Sequence, residues 1–197
     1  MTKTVSIRLF LTVAIVITAA LTVPAAAIAQ TVTGQARAVQ AASPLGTTTL
    51  ADTGTLGSSL DSRDATLATG GIPSVLTGEA LRAVTVGWAD QVASESSVSN
   101  VNLTVGGTGI SANLALARVL ATTNAPAKAA SSIGDLSVNG VSIEVTGEPN
   151  QAVAIPGGRI VINEQITSLT GTTVNALHVT VRGIADVVIA SATAGIR

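Results

Sequence analysis

Apolar and polar residues alternate along much of this chain, and the alternation becomes regular from Leu76 onward. A period of two places successive side chains on opposite faces of a strand, so the pattern predicts half-buried β-strands. The strand-like segments are separated by Gly-rich turns and not by helical segments, which argues against a parallel α/β sheet. We therefore predict an all-β fold, an antiparallel β-sandwich built from hairpins, with an open β-barrel as the alternative.

The clearest predicted hairpin is centred on Asn139-Gly140. This pair is favoured in two-residue type I′ turns because both positions need positive φ. Such a turn sets Val138 opposite Val141 and Leu136 opposite Ile143, which places the apolar pairs on one face and the intervening serines on the other.

Three more hairpins pass the same test of facing apolar pairs. The predicted pairs are Val105 with Ile110 and Leu103 with Ala112 around the turn 106–109, Ile155 with Ile160 and Val153 with Ile162 around the turn 156–159, and Val181 with Ala185, Val179 with Val187 and Leu177 with Ile189 around the turn 182–184. Segment 112–121 fits a helix as well as a strand, and the hairpin before it favours the strand.

Residues 1–29 have the pattern of a helical secretory signal peptide. Lys3 and Arg8 form a basic start, an uncharged apolar stretch ends before Pro24, and Ala27-Ile28-Ala29 supplies the small residues that signal peptidase requires. The apolar stretch is too short to span a membrane comfortably. We predict that the mature chain is exported and begins at Gln30.

The remainder, 30–197, has the length of one domain. Segment 30–72 is punctuated by Thr, Ser, Gly and Asp, and we expect loosely ordered short strands and long loops there. Segment 73–197 is expected to form the main β core.

Composition excludes several classes of function. The apolar residues, 47% of the chain, are nearly all Ala, Val, Ile and Leu, and Trp88 is the only aromatic residue outside the signal. The formal charge of −1 becomes −3 without Lys3 and Arg8, which argues against nucleic acid or an anionic membrane surface as a partner. Cysteine is absent, so thiol chemistry and cysteine metal sites are excluded.

The C-terminal half resembles the bacterial choice-of-anchor P family. The resemblance covers about Val92 to Ile196 and rests on Thr146-Gly147-Glu148-Pro149-Asn150, Ile160-Val161-Ile162-Asn163-Glu164-Gln165, Thr173-Val174-Asn175-Ala176-Leu177-His178-Val179-Thr180-Val181 and Ala185-Asp186-Val187-Val188-Ile189-Ala190-Ser191-Ala192. It implies an exported or surface protein of unassigned activity and supplies no catalytic residues. Because this chain ends without an anchoring segment, we expect release rather than attachment.

His178 is the only histidine, so any histidine-dependent chemistry must use it. The predicted register places it on the outward face with Thr180, diagonal to Asp186, which could orient its ring as in a nucleophilic triad. Ser191 is near in sequence, but no Gly-x-Ser-x-Gly turn is present. The alternative is a surface histidine with a carboxylate neighbour.

Asp135 and Glu144 would face each other at the open end of the Asn139-Gly140 hairpin. Facing carboxylates repel, and a bound calcium ion, with Glu148 and Asn150 as further ligands, would explain them. The alternative is that pairing ends before this point and both carboxylates are solvated.

The other candidate residues have structural interpretations beside functional ones. Glu164 is either a general acid or ligand contact or, with Asn163 and Gln165, part of a polar strand end whose amides bond to backbone groups. Trp88 is preferred as a partly buried core residue over an exposed contact. Asp61 and Asp64 indicate a polar turn, and Asn102-Leu103-Thr104 matches a glycosylation sequon on a strand.

Function is the least constrained inference, and we assign no residue a catalytic, cofactor or metal role. The pattern favours a secreted, non-enzymatic module of the bacterial envelope or extracellular matrix, structural or adhesive, that associates with itself or with other envelope components. The alternatives are a glycan- or peptide-binding module, with or without calcium, and a hydrolase using His178 and Asp186.

Overall fold

A computed structural model describes residues 31–197, so the expected signal peptide and the start at Gln30 lie outside the described residues. The described chain is all-β, as predicted, and contains no helix. Accordingly, no helix within it is long and apolar enough to cross a membrane. The strands are β1 (Val32–Ser43), β2 (Gly46–Asp52), β3 (Ser62–Ile72), β4 (Leu76–Gly87), β5 (Gln91–Val105), β6 (Thr108–Thr122), β7 (Lys128–Gly134), β8 (Ser137–Val138), β9 (Val141–Ser142), β10 (Gln151–Ile155), β11 (Gly158–Ser168), β12 (Gly171–Val181) and β13 (Ala185–Ile196).

The strands form two antiparallel sheets that face each other as in a β-sandwich. Sheet A has the order β10-β11-β12-β13-β1-β2, and sheet B has the order β3-β4-β5-β6-β8-β9, with β7 also paired to β6. The two ends of the chain meet in sheet A, because β1 pairs with β13 from Val32 opposite Ile196. Two separate sheets, rather than one continuous sheet, distinguish this arrangement from the open barrel.

The core lies between β12, β13 and β1 of sheet A and β4, β5 and β6 of sheet B. Its largest fully buried side chains are Leu, Ile and Val, and alanines occupy many of the other buried positions. Few polar groups enter it. Among them, Ser94 is 3% exposed and bonds to Thr85 at 2.8 Å and to the carbonyl of Thr193, on the opposite sheet, at 2.6 Å. The small apolar residues noted in the sequence thus fill a closely packed interior.

Segment 30–72 differs from the expectation of short strands and long loops. It contains β1 and β3, of 12 and 11 residues, and β1 lies inside sheet A between β13 and β2. Ala36, Ala38 and Val39 are at most 1% exposed. The interpretation was wrong for β1 because small polar residues do not prevent the pairing of a strand that has neighbours on both sides.

Two of the four predicted hairpins have the predicted register. Asn139 and Gly140 have φ of 50° and 78°, and Val138 pairs with Val141. In the other, Val181 pairs with Ala185 and the predicted partners continue along β12 and β13. Segment 112–121 is strand, within β6, as favoured.

The other two hairpins are paired two residues away from the predicted register. Gly106 and Gly107 have φ of 57° and 78° and make a two-residue turn, so Leu103 pairs with Ile110 and not with Ala112. At Pro156-Gly157 a two-residue turn likewise replaces the predicted four-residue turn, so Val153 pairs with Ile160. Two residues suffice because glycine adopts positive φ without steric cost. An even shift keeps each side chain on its predicted face.

The alternation of inward-facing and outward-facing side chains changes phase at one row of residues that crosses sheet A. By register the row runs through Ala51, Ala38, Ala190, Ala176 and Asn163, on β2, β1, β13, β12 and β11. Every second member has positive φ: Ala51 at 46°, Ala190 at 53° and Asn163 at 51°. Because neighbouring strands reverse at the same level, the pairs on either side of the row keep their register. We call this the reversal row.

Candidate functional site

The candidate site is a hydrogen-bonded group of three side chains on the outer face of sheet A. His178 Nδ1 lies 2.7 Å from Glu164 Oε2, and His178 Nε2 lies 3.0 and 3.1 Å from the two Asp186 oxygens. The His178 and Glu164 side chains are 20% and 14% exposed, and Asp186 is 48% exposed. We call this group the His178 cluster.

The hairpin β12–β13 brings His178 and Asp186 together. Thr180 pairs with Asp186 and His178 with Val188, so histidine and aspartate are diagonal neighbours on one face, as predicted. The Thr180 hydroxyl donates to Asp186 Oδ2 at 3.3 Å. This half of the cluster is therefore local in sequence and follows from a three-residue turn.

Glu164 reaches the cluster because of the reversal row. Ile160 and Ile162 point into the core, and simple alternation would place Glu164 beside them. The positive φ of Asn163 reverses the alternation, so that Glu164 turns outward. There it accepts a hydrogen bond from Asn175 Nδ2 at 2.7 Å in addition to its contact with His178. Sequence reasoning missed this contact, for which the only signal was an asparagine, a residue that tolerates left-handed backbone.

The cluster is arranged to hold charge and hydrogen bonds in place. In its imidazolium form His178 donates from both nitrogens, one to each carboxylate. The two ring nitrogens point in opposite directions, one toward each carboxylate. A metal ion bound to one nitrogen could therefore not also bind both carboxylates. No group of three or more His, Asp or Glu side chains in 31–197 is suited to hold a metal ion.

The geometry leaves little room for histidine-dependent nucleophilic catalysis. A triad needs a hydroxyl on the ring nitrogen opposite the orienting carboxylate, and Glu164 occupies that nitrogen. Ser191 pairs with Asn175 on the far side of the reversal row and makes no hydrogen bond with His178 in the described chain. The nearest hydroxyl, that of Thr180, is 3.4 Å from the nitrogen that Asp186 already occupies.

A polar cleft of about 270 Å³ adjoins the cluster at Asn175 and extends across β12, β13 and β1. Arg37 and Ser191 lie on its wall. Arg37 bonds to Gln40, and its Nε, 3.2 Å from Asp52 Oδ2, is buried without a well-directed hydrogen bond. The cleft therefore offers amides, hydroxyls and one partly engaged cation.

The two amides that flank Glu164 bond mainly to the backbone, as the structural interpretation proposed. Asn163 donates to the carbonyl of Gly147 at 2.9 Å, and Gln165 donates to the carbonyl of Ala129 at 3.3 Å. Asn150, suggested as a calcium ligand, instead accepts from the backbone N–H of Gln165 at 2.9 Å.

Asp135 does not pair with Glu144. Asp135 accepts from Asn113 Nδ2 at 2.5 Å, and its own φ of 50° marks a turn out of the β6–β7 ladder. Glu144 follows β9, and its carbonyl accepts from Gln151. The ladder ends at β9, so the facing carboxylates that suggested calcium do not meet; Glu148 lies in the exposed turn beyond.

Three further candidates lie at the surface. Trp88 is 40% exposed in the turn after β4, which corrects the preference for a core residue. Asp61 accepts from the backbone N–H of Gly57 at 2.8 Å and from Arg63 at 3.1 Å, which hold the pKa of its carboxyl below the usual value. Asp64 is an exposed residue of β3 and not part of the turn, and Asn102 is exposed on β5.

Comparisons of the chain with protein-family models, with curated proteins and with solved structures found no match.

Proposed function

We propose that the protein is an exported, non-enzymatic β-sandwich module of the bacterial envelope, structural or adhesive in role, that associates with itself through strand β3. The observation that carries this proposal is that β3 ends the strand order of sheet B, so that β4 is its only hydrogen-bonded strand within 31–197. β3 is 11 residues long and exposed over most of its length. Long uncovered edges are templates for pairing with another strand, and soluble proteins usually protect them.

The sequence of β3 offers little of that protection. Its only charged residues, Arg63 and Asp64, are near its start, and it contains no proline. Arg63 is already engaged with Asp61. The following segment, 65–72, has no charge to repel a second strand.

A second copy fits this edge in an antiparallel arrangement centred on Leu67. The arrangement places Arg63 opposite Gly71 and Asp64 opposite Gly70 of the other copy, so no like charges face each other. Leu67, which is 40% exposed, would pair with its own equivalent. The result would be one sheet running continuously through both copies.

Export and family are supported by the sequence alone. The basic, apolar and small-residue pattern of 1–29 supports secretion. We also propose membership of the choice-of-anchor P family; in its support, three segments that carry the resemblance, 160–165, 173–181 and 185–192, lie on neighbouring strands and together supply the three residues of the His178 cluster. The occupied ring nitrogens of His178 support a role without catalysis.

Sedimentation velocity on 30–197 over a wide concentration range tests self-association. We expect wild type to form dimers, and Leu67→Lys and Leu67→Glu each to be monomeric because like charges then face each other. An equimolar mixture of the two variants should associate again, since lysine then faces glutamate. Leu169→Lys, at a position 80% exposed outside β3, is the matched control and should behave as wild type. Monomeric wild type, or dimers of Leu67→Lys, would contradict the proposal.

The alternative of a glycan- or peptide-binding module has one observation in its favour, the polar cleft beside Asn175. Its amides and hydroxyls suit a hydroxyl-rich ligand, although no aromatic residue lines it for stacking. Binding on a glycan array that is lost in Asn175→Ala, with wild type monomeric, would favour this alternative.

A further inference from the structure

The outer face of sheet B is apolar at one corner, where β4, β5, β6 and β7 lie side by side near the β4–β5 turn. Val84, Val86, Ala93 and Leu120 form the floor of a groove there, with a volume of about 510 Å³. Elsewhere the outward positions of β5 are polar, as at Asn102, whereas β6 carries two more half-buried leucines there, Leu114 and Leu116, which do not line the groove.

The groove has a polarity gradient across the strands. Val84 and Val86 on β4 are at one end, and Lys128 on β7 and Arg118 on β6 are at the other. Lys128 forms no ion pair with any residue of 31–197. Arg118 lies 4.0 Å from Glu95, with both side chains largely exposed, and such pairs contribute little. Two cations therefore lie at one end of an apolar floor, whose lining also includes the carboxylate of Glu95 beside Arg118.

Two exposed apolar side chains, which do not line the groove, follow or approach the end of β4. Trp88 follows Val86 by two residues, and Leu60, 77% exposed, is held beside it because its backbone N–H donates to Gly87 at 3.1 Å. Exposed apolar patches of this kind, rimmed by charge, mark sites of interaction. Asp61 follows Leu60 directly and Asp90 is two residues after Trp88, and these carboxylates disfavour an anionic membrane surface.

We infer that this groove binds an amphiphile with one apolar chain and an anionic head group. Four adjacent strands span about 14 Å at their normal spacing. The apolar chain would lie across the strands on Val86, Ala93 and Leu120, and the head group would bond to Lys128 and Arg118. This site uses the outward face of β4–β7, so it is independent of the β3 edge.

Isothermal titration calorimetry and thermal unfolding with decanoate, decyltrimethylammonium and decanol, all below their aggregation concentrations, test the charge preference. We expect saturable binding of decanoate and a raised melting temperature, since a ligand stabilises the state that it binds. The cationic amphiphile should bind at least about tenfold more weakly, because its head group meets Lys128 and Arg118. Equal binding of both, or no binding of decanoate, would overturn the inference.

Variants locate the site. Lys128→Glu should weaken decanoate binding about tenfold without unfolding, because the side chain is exposed. Leu120→Asp should abolish it by placing a carboxylate on the floor. Arg159→Glu, on β11 of the other sheet, is the matched control and should bind as wild type. An equal loss of decanoate binding in Arg159→Glu would overturn the inference. Conversion of a dimer to a monomer by Leu120→Asp would also overturn it, because the groove would then be an interface between copies.

Discussion

The outer faces of the two sheets use their outward positions in opposite ways. On sheet A, Glu164, His178 and Asp186 bond to one another, and the carboxylate of Glu164 also accepts from Asn175. On the corner of sheet B, the groove floor is apolar, and Lys128 has no ion-pair partner in 31–197. Side chains that satisfy one another stabilise the fold, whereas uncovered apolar area and free charge are available to a ligand. We therefore expect substitutions in the His178 cluster to change the free energy of unfolding, and substitutions in the groove of sheet B to change the binding of a ligand.

The strongest test of this comparison removes one residue from each face. His178→Ala removes one hydrogen-bond partner from each carboxylate of the cluster, and we expect the free energy of unfolding to fall by roughly 1.5–3 kcal/mol. Leu120→Ala, on the groove floor, should cost no more than about 1 kcal/mol because its face is uncovered. Urea denaturation of both variants measures the difference. Equal losses would remove the distinction between the two faces.

A smaller effect separates the two halves of the His178 cluster. Glu164→Gln should cost about 1–2 kcal/mol, because the carboxylate is 14% exposed and accepts two hydrogen bonds. Asp186→Asn should cost less than about 1 kcal/mol, since that side chain is 48% exposed. A double-mutant cycle of Glu164→Gln with His178→Ala measures their coupling, and additive losses would show that the two side chains act independently.

The smallest effect concerns pH at the corner beside the sheet B groove. The N–H of Gly57 and the Arg63 guanidinium lower the pKa of Asp61 in the folded chain. A lowered folded pKa contributes stability that is present above the unfolded pKa, about 3.9, and is lost as pH falls through the folded value. Asp61→Asn should therefore be slightly less stable than wild type at neutral pH and converge with it in acid. A stability gap that is constant down to acid pH would contradict this.

Contacts that depend on one turn were predictable from the sequence. The pairing of Val138 with Val141 follows from the φ preference of Asn-Gly, and the approach of His178 to Asp186 follows from the turn at 182–184. At Gly106-Gly107, turns of two and of four residues place the same side chains on the same faces of the hairpin. The predicted register there differed by two residues from the observed one. Periodicity specifies which face a residue occupies but not its partner along that face.

Exposure of Trp88 and the placement of β1 were not predictable in the same way. A lone tryptophan is usually part of a core, but this one follows the last residue of β4, where the strand leaves the sheet. Segment 32–43 has a weak apolar pattern, yet β13 and β2 pair on either side of it and bury Val39 completely. In both cases the outcome depends on neighbours distant in sequence.

The sequence by itself determined the main strands from Leu76 onward, the outward or inward face of most of their side chains, and the local half of the His178 cluster, because these depend on period and turn chemistry within about ten residues. Only the tertiary structure decided the strand order, the reversal row and the meeting of Glu164 with His178. The reversal at Asn163 keeps its register because Ala176 and Ala190 reverse beside it on other strands. That agreement arises from backbone hydrogen bonds between segments far apart in the chain, and no local pattern contains it.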